Sequence, residues 1–440
     1  MQVLSLLFSF LFSFQGVFPR VGVFNDEGPP VPIPNTEVKL ISAEDTCLET
    51  DRKNRSMPTQ KTSDSNVWGF FIMFSGRSEK SRHEDAFLLE SVIDEKTEAV
   101  CDAGKGSENM KILNTPLKVG SLELKTRLVM PPMATEKTAD GLVNGDILRY
   151  YDEKTRSGGL GLVVTEHVYV SPEGKASPRQ ISAAGDDAVE GFKKLAGVIH
   201  RNGVPVILQI NHAGSMTQAD PETEKISCSA VINPRFAARG IRILPRAMDI
   251  EDIERVRDCY VKAAVRAKAA GMDGVEVHSA HGYLLNQFYS PLTNLREDEY
   301  TGATVEGRTR LQCGIIKAIR EVCGKDFLIS VRLGAADHMP GGSEAGDVPE
   351  AAERFQKAGA DMISITGGLC GFILKDREQG WFSELSEAAK AGTELPVLLT
   401  GGITDAFHAE KLLEEKKADL IGIGRALLID SELPAKMIKE

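Results

Sequence analysis

The chain is short of the features that mark several common protein classes. It holds only seven cysteines in 440 residues: Cys47, Cys101, Cys228, Cys259, Cys313, Cys323 and Cys370. The number is odd and no C-x-x-C spacing occurs, which argues against a disulfide framework or a zinc site. Reduced thiols in the cytoplasm are the default expectation. Positive charge is also in deficit, with 52 Lys and Arg against 63 Asp and Glu and a net charge of −11. Phosphate backbones select basic surfaces, so nucleic acid is not expected as a partner. Small ligands stay open, because a local basic pocket survives inside an acidic protein. Long apolar runs are missing beyond residues 3–18, VLSLLFSFLFSFQGVF. No Lys or Arg precedes that run and no small-x-small cleavage site follows, so cytoplasmic placement is favoured over a secretory leader. The run also falls short of the roughly 20 residues of a membrane span, and no firm membrane association is expected.

What is present changes texture near residue 111. Residues 1–110 crowd Pro29, Pro30, Pro32 and Pro34 into one loop and continue with polar stretches such as DRKNRSMPTQKTSDSN. No helical or strand period persists there, and a largely disordered or irregular extension is expected. From Ile112 onward short apolar runs alternate with amphipathic stretches. The expected strands are residues 127–130, 162–165, 206–210, 274–278, 328–332, 362–366, 397–400 and 420–423. Each is a continuous apolar run, as when both faces of a strand are buried. Helices are expected over residues 249–270, closed by Gly271, and over 306–322 and 348–358. Eight β-then-α units over residues 111–440 predict an α/β fold, a (β/α)₈ TIM barrel. A Rossmann sheet is the alternative, but no G-x-G-x-x-G follows an early strand.

In such a barrel the active site sits at the C-terminal ends of the strands. Strands seven and eight end in TGGI and GIGRALL, placing Gly401, Gly402, Gly424 and Arg425 where this fold usually holds phosphate. Tight turns alone would also use glycine; both pairs together with Arg425 favour a phosphate site. Strand four runs into EVHSAHGYLLNQF, with His278, His281 and Tyr283 at its end. Two imidazoles can stabilise negative charge on a carbonyl oxygen, and a tyrosine, protonated at neutral pH, can act as general acid. A metal reading finds no carboxylate nearby in sequence that completes a facial set, and no metal is expected. Gln209 and Arg332 end strands three and five. An amide can pair with the imide edge of a heterocycle, and a guanidinium can stabilise a negative ring. A salt bridge to a neighbouring carboxylate is the alternative for Arg332.

With these residues in view, RLVMPPMAT, LQINHAG, EVHSAHGYLLNQFYSPLTNLREDEY, SVRLGAADHMPGG and LIGIGRALLID resemble the old yellow enzyme and enoate reductase family, in one order over roughly three quarters of the chain. The resemblance implies bound FMN lined by Pro132, Met133 and Ala134. It implies Gln209 on the pyrimidine edge, Arg332 near N1 and O2, and Gly401, Gly402, Gly424 and Arg425 around the phosphate. His278 and His281 would bind a substrate carbonyl and Tyr283 would deliver a proton. The implied activity is reduction of the activated C=C bond of an enone or enoate, with NADH or NADPH as hydride donor. The alternatives are an NADH oxidase passing electrons to oxygen or quinone, and a truncated barrel without catalysis. The partner is then a small molecule, and a homo-oligomer is allowed.

Departures from the family pattern carry expectations too. Ala134 stands where many relatives have Cys or Thr bonded to flavin O4, and Thr135 is expected to substitute in part. His167 stands where a small residue is common. Ser215 follows HAG where Arg is frequent. YTGATVEGR, residues 300–308, is expected to loosen its loop. The sequence ends in its eighth helix, and the iron–sulfur cysteine cluster of longer relatives is absent from it.

Overall fold

The strands form because β-rich apolar runs are buried on both faces, and the ring they make sets every other element. The computed structural model describes residues 112–218, 222–374 and 377–439. The extension over residues 1–110 lies outside the described residues. Eight parallel strands follow in chain order: β1 (Leu128–Met130), β2 (Leu162–Val164), β3 (Val206–Asn211), β4 (Gly274–Ser279), β5 (Leu328–Gly334), β6 (Met362–Thr366), β7 (Val397–Thr400) and β8 (Leu420–Gly422). Each pairs with its neighbours in sequence, and Ile421 of β8 lies opposite Leu128 of β1, which closes the ring. A two-residue strand, Val168–Tyr169, adds to β3 beyond the barrel proper. All eight predicted strands are present, and every residue in them is buried.

Period-two alternation divides the apolar residues into two cores. Val129, Leu162, Val164, Ile207, Leu328, Met362, Leu398 and Leu420 fill the lumen. The hairpin of Leu117–Val119 and Leu122–Leu124 adds Val119 and Leu124 to that cluster, plugging the N-terminal end. The intervening residues, such as Leu128, Met130, Val163 and Leu208, face outward onto the helices.

Besides shorter helices at Pro234–Ala237, Leu284–Tyr289 and Leu433–Met437, the helices are α1 (Gly145–Thr155), α2 (Ala188–Arg201), α3 (Ile250–Ala269), α4 (Val305–Cys323), α5 (Val348–Ala358), α6 (Ser383–Ala391), α7 (Ala406–Glu414) and α8 (Arg425–Ile429). Helix α3 shows why they form. Asp249 and Asp252 make a reciprocal capping box at its start, and Ile253, Val256, Tyr260, Ala263, Ala264 and Ala267 give one buried face. Gly271 follows its end at φ +79°, the left-handed conformation that favours glycine. The loop before α4 is pinned rather than loosened. Thr304 caps the helix, Asn294 donates to the Tyr300 carbonyl at 2.8 Å, and Arg308 pairs with Asp347 at 2.6 Å. With the lumen sealed below, the open C-terminal ends of the strands form the mouth.

Candidate active site

The mouth is built first by register. Gln209 lies opposite Glu276, Glu276 opposite Ser330, and His278 opposite Arg332. Five polar side chains therefore line adjoining strands, buried where an unpaired polar group is costly. Glu276 is satisfied from two sides: Gln209 Nε2 donates at 2.8 Å and Ser330 Oγ at 2.9 Å. The first bond fixes the Gln209 amide, so its Oε1 remains an acceptor for a ligand N–H. Arg332 is pulled below its ordinary pKa by burial, opposed by the charge of Glu276, yet it stays a cation. Its Nε is buried with no hydrogen-bond partner, and it makes no direct ion pair among the described residues. The salt-bridge alternative is thus only half met: an acid is near enough to be felt, but its oxygens are committed elsewhere.

After β4 the chain turns sharply. His281 takes φ +60° and Gly282 φ +80°, two left-handed residues in succession. Such a conformation is uncommon outside glycine and is held here by its surroundings. The His281 N–H donates to the Gly367 carbonyl at 3.3 Å, and its Nε2 meets Thr366 Oγ1 at 3.0 Å at the end of β6. The turn brings three rings together. His278 and His281 are 5.1 Å apart between centroids, and His278 and Tyr283 5.3 Å, all edge to face. Burial, then the charge of Arg332, drives both imidazoles well below the ordinary histidine pKa. They are therefore neutral at pH 7 and offer N–H donors, and His278 Nδ1 is buried without a partner. Burial raises the Tyr283 hydroxyl above its ordinary pKa against the opposing charge of Arg235, so it keeps its proton.

Sequence reading flagged His167 only as a bulky departure. The structure puts its ring 5.6 Å from Tyr283 and 6.2 Å from His278. Gln180 Nε2 donates to His167 Nδ1 at 2.5 Å, which leaves the ring proton on Nε2. Burial, with Arg332 adding, pushes this imidazole down to about 4. The part expected of Thr135 is corrected. Its backbone N–H and its hydroxyl both donate to the Glu166 carboxylate at 2.9 Å, so its proton is spoken for.

The glycine pairs assemble in one corner. Gly401 (φ +148°) and Gly402 (φ +71°) end β7, and a Cβ on Gly402 would lie 2.2 Å from the Trp381 ring. Arg425, first residue of α8, has its guanidinium 5.2 Å from the same ring. Gly424 packs toward Pro131 and Met133, joining the end of β8 to the loop after β1, where Pro132 is half-buried and Ala134 exposed. Trp381 was missed by sequence reasoning. Its only signal is that the chain holds just two tryptophans and sets this one directly after a glycine. Glycine-only backbone, one cation at this corner, and an unpartnered buried Arg332 Nε beside a fixed amide fit an anionic, planar, hydrogen-bonding cofactor such as FMN.

Comparison with known proteins agrees with the closed barrel. The chain is 37% identical over 326 residues to an NADH oxidase of Thermoanaerobacter brockii, covering 72% of this chain and 49% of that protein. It therefore spans about half the length of that relative. It is 32% identical over 331 residues to an NADPH dehydrogenase of Geobacillus thermodenitrificans, covering 75% of this chain and 94% of that one. The structure of an old yellow enzyme homologue from Zymomonas mobilis superposes with a TM-score of 0.65 at 26% identity, over 74% of this chain and 92% of that one. Residues 112–440 match the family model described as NADH:flavin oxidoreductase / NADH oxidase. By that match and by its closed barrel, the chain belongs to the NADH:flavin oxidoreductase / NADH oxidase family.

Proposed function

We propose that the chain is an ene-reductase that uses FMN and NADH or NADPH to reduce the C=C bond of an α,β-unsaturated carbonyl compound. The observation that carries this reading is the cluster of His278, His281 and Tyr283, with centroid spacings of 5.1 and 5.3 Å, at the mouth beside Arg332. When bound, FMN supplies the hydride chemistry, accepting a hydride from the nicotinamide donor and giving one to the substrate β-carbon. Gly401, Gly402, Gly424 and Arg425 would hold its phosphate, Gln209 its pyrimidine edge, and Pro132, Met133 and Ala134 its flank. Arg332 would favour negative charge on the ring.

The protein's own part is electrostatic and prototropic. His278 and His281, as neutral donors, hold the substrate carbonyl oxygen and stabilise the charge that develops there, worth about 3–4 kcal/mol for one such donor. Tyr283 holds a proton on its phenol oxygen for the α-carbon. His167 lies beside Tyr283 and His278, its ring 5.6 and 6.2 Å from theirs. The buried setting keeps water away, which strengthens each of these interactions.

A second reading, electron transfer to oxygen, is favoured by the resemblance to an NADH oxidase. It needs the donor and flavin contacts but has no use for the His/Tyr cluster. Anaerobic reduction of the holoenzyme by NADH, followed by mixing with 2-cyclohexenone or with oxygen, separates the two. Faster reoxidation by the enone supports the reductase. Reoxidation by oxygen alone removes it. Among the described residues no helix is long and apolar enough to cross a membrane. The free thiols of Cys228, Cys259, Cys313, Cys323 and Cys370 support a cytoplasmic site of action.

A further inference from the structure

The mouth contains a third cation that the reading above does not use. The short helix Pro234–Ala237 is placed by Asn233, whose side-chain oxygen accepts from the Arg235 N–H at 3.0 Å and whose amide donates to the Gly282 carbonyl at 3.2 Å. Phe236 is buried and anchors the helix. Arg235 is thereby held over the turn that carries His281 and Tyr283. Its Nη1 donates to the His281 carbonyl at 3.3 Å, a long bond. On the opposite side lies Gly371, in the loop after β6, where a Cβ would come within 2.6–2.9 Å of the guanidinium. The guanidinium is thus fixed between two loops at the entrance, beside the exposed Phe372, whose ring is 5.8 Å from His281.

The charges around it are unbalanced. The groups it feels are Arg239, Tyr283 and Cys370, a cation and two groups that are neutral at pH 7. Among the described residues no Asp or Glu pairs with it, although most other arginines of the barrel have a carboxylate within reach. Among the described residues its guanidinium makes one hydrogen bond, the long one to the His281 carbonyl, so most of its five N–H donors are open to water or a ligand. A partly desolvated cation with open donors is costly unless an anion completes it, and the guanidinium fork matches carboxylate or phosphate oxygens in pairs.

We propose that Arg235 is a specificity-determining residue that binds an anionic oxygen group of the molecule occupying the mouth: the carboxylate of a conjugated enoate or the pyrophosphate of the nicotinamide donor. The inference deepens the ene-reductase reading and rests on it for the enoate arm. The test uses the full-length holoenzyme and its R235Q and R235K variants, with FMN content checked by absorbance. Two acceptors are compared, cinnamate and the neutral 2-cyclohexenone. Two donors are compared, NADH and 1-benzyl-1,4-dihydronicotinamide, which carries no phosphate.

If the anion belongs to the substrate, R235Q raises KM for cinnamate about 10- to 100-fold with kcat little changed, cyclohexenone shifts by about threefold or less, and R235K recovers part of the loss. If it belongs to the donor, KM for NADH rises by the same factor and that for the benzyl compound does not. An equal loss with all four compounds, or no change with any, overturns the proposal in favour of a plain loop clamp on the His281 carbonyl. Should the wild type reduce neither alkene, the ene-reductase reading fails and the donor pair alone decides. A rise confined to NADH supports Arg235 as an anion site, and equal sensitivity of the two donors overturns it.

Discussion

A buried tyrosine whose pKa is raised is a poor base but a secure proton store, and that distinction makes Tyr283 separable from the rest of the site. Its hydroxyl is needed only when a carbon acid forms. Tyr283→Phe should slow alkene reduction about 10²- to 10⁴-fold and leave flavin reduction by NADH within about twofold. Rapid-mixing measurements of the two half-reactions check this, and equal damage to both would remove the assigned role. The histidines give a second expectation. Because His278 and His281 are held well below the usual imidazole range, the alkene half-reaction should show no acidic limb near the ordinary value of about 6.5. Glu166 behaves oppositely. Burial raises its carboxyl from 4.5 to about 7, against the Thr135 donors. The folded protein therefore holds a proton that the unfolded chain has released, and this contribution to stability is present below pH 4.5 and lost as pH rises toward 7. The loss is on the order of 3 kcal/mol. Glu166→Gln keeps an acceptor for Thr135 but cannot ionise, so its Tm should fall less between pH 5 and about 8 than that of the wild type. Parallel Tm curves for the two proteins would show that Glu166 does not titrate in this window.

At the scale of elements, what was legible depended on how local the cause is. The strands were visible because burial on both faces leaves an unbroken apolar run, and α3 because its apolar period and the Gly271 that closes it both lie within one continuous stretch. The lumen plug was not visible. Leu117–Val119 and Leu122–Leu124 alternate like any short hairpin, and nothing local says that Val119 and Leu124 enter a barrel closed by strands up to 300 residues distant. Leu124→Ala should cost about 2–5 kcal/mol, since the sealed lumen cannot collapse around the missing atoms. Urea unfolding measures it, and a change below about 1 kcal/mol would mean that the hairpin does not seal the barrel. The β7 corner shows the same limit. The glycines were legible as a phosphate turn, but the indole that forbids any side chain there comes from the loop before α6. Gly402→Ala combines a left-handed φ of +71° with a Cβ 2.2 Å from Trp381, and should lower FMN affinity at least tenfold, read by titrating apoprotein with FMN. Unchanged affinity would remove this corner from the cofactor site.

For the whole molecule, sequence order alone brought strand ends into one list, because a barrel places all eight C-terminal ends at one mouth. Contacts made by loops escaped it: His167 against Tyr283, and Arg235 over His281, depend on turns whose geometry no periodicity encodes. Charge is distributed across the same two levels. The chain carries −11 overall, while Arg332, Arg235 and Arg425 converge on the strand ends. Exposed charges act at a distance and are screened over about 8–10 Å at physiological salt, whereas the buried Arg332 and the half-buried Arg235 and Arg425 are screened less. An anionic cofactor therefore meets long-range repulsion during approach and short-range attraction once seated. Raising ionic strength should relieve the first and barely touch the second. The association rate of FMN with apoprotein should accordingly rise a few-fold between about 10 mM and 200 mM salt, with a nearly constant dissociation rate. Stopped-flow quenching of tryptophan fluorescence follows both rates, Trp381 lying at the predicted phosphate corner. A rate that instead falls with salt would mean that the local cations, not the net charge, govern approach, and that the mouth projects its positive potential well into solvent.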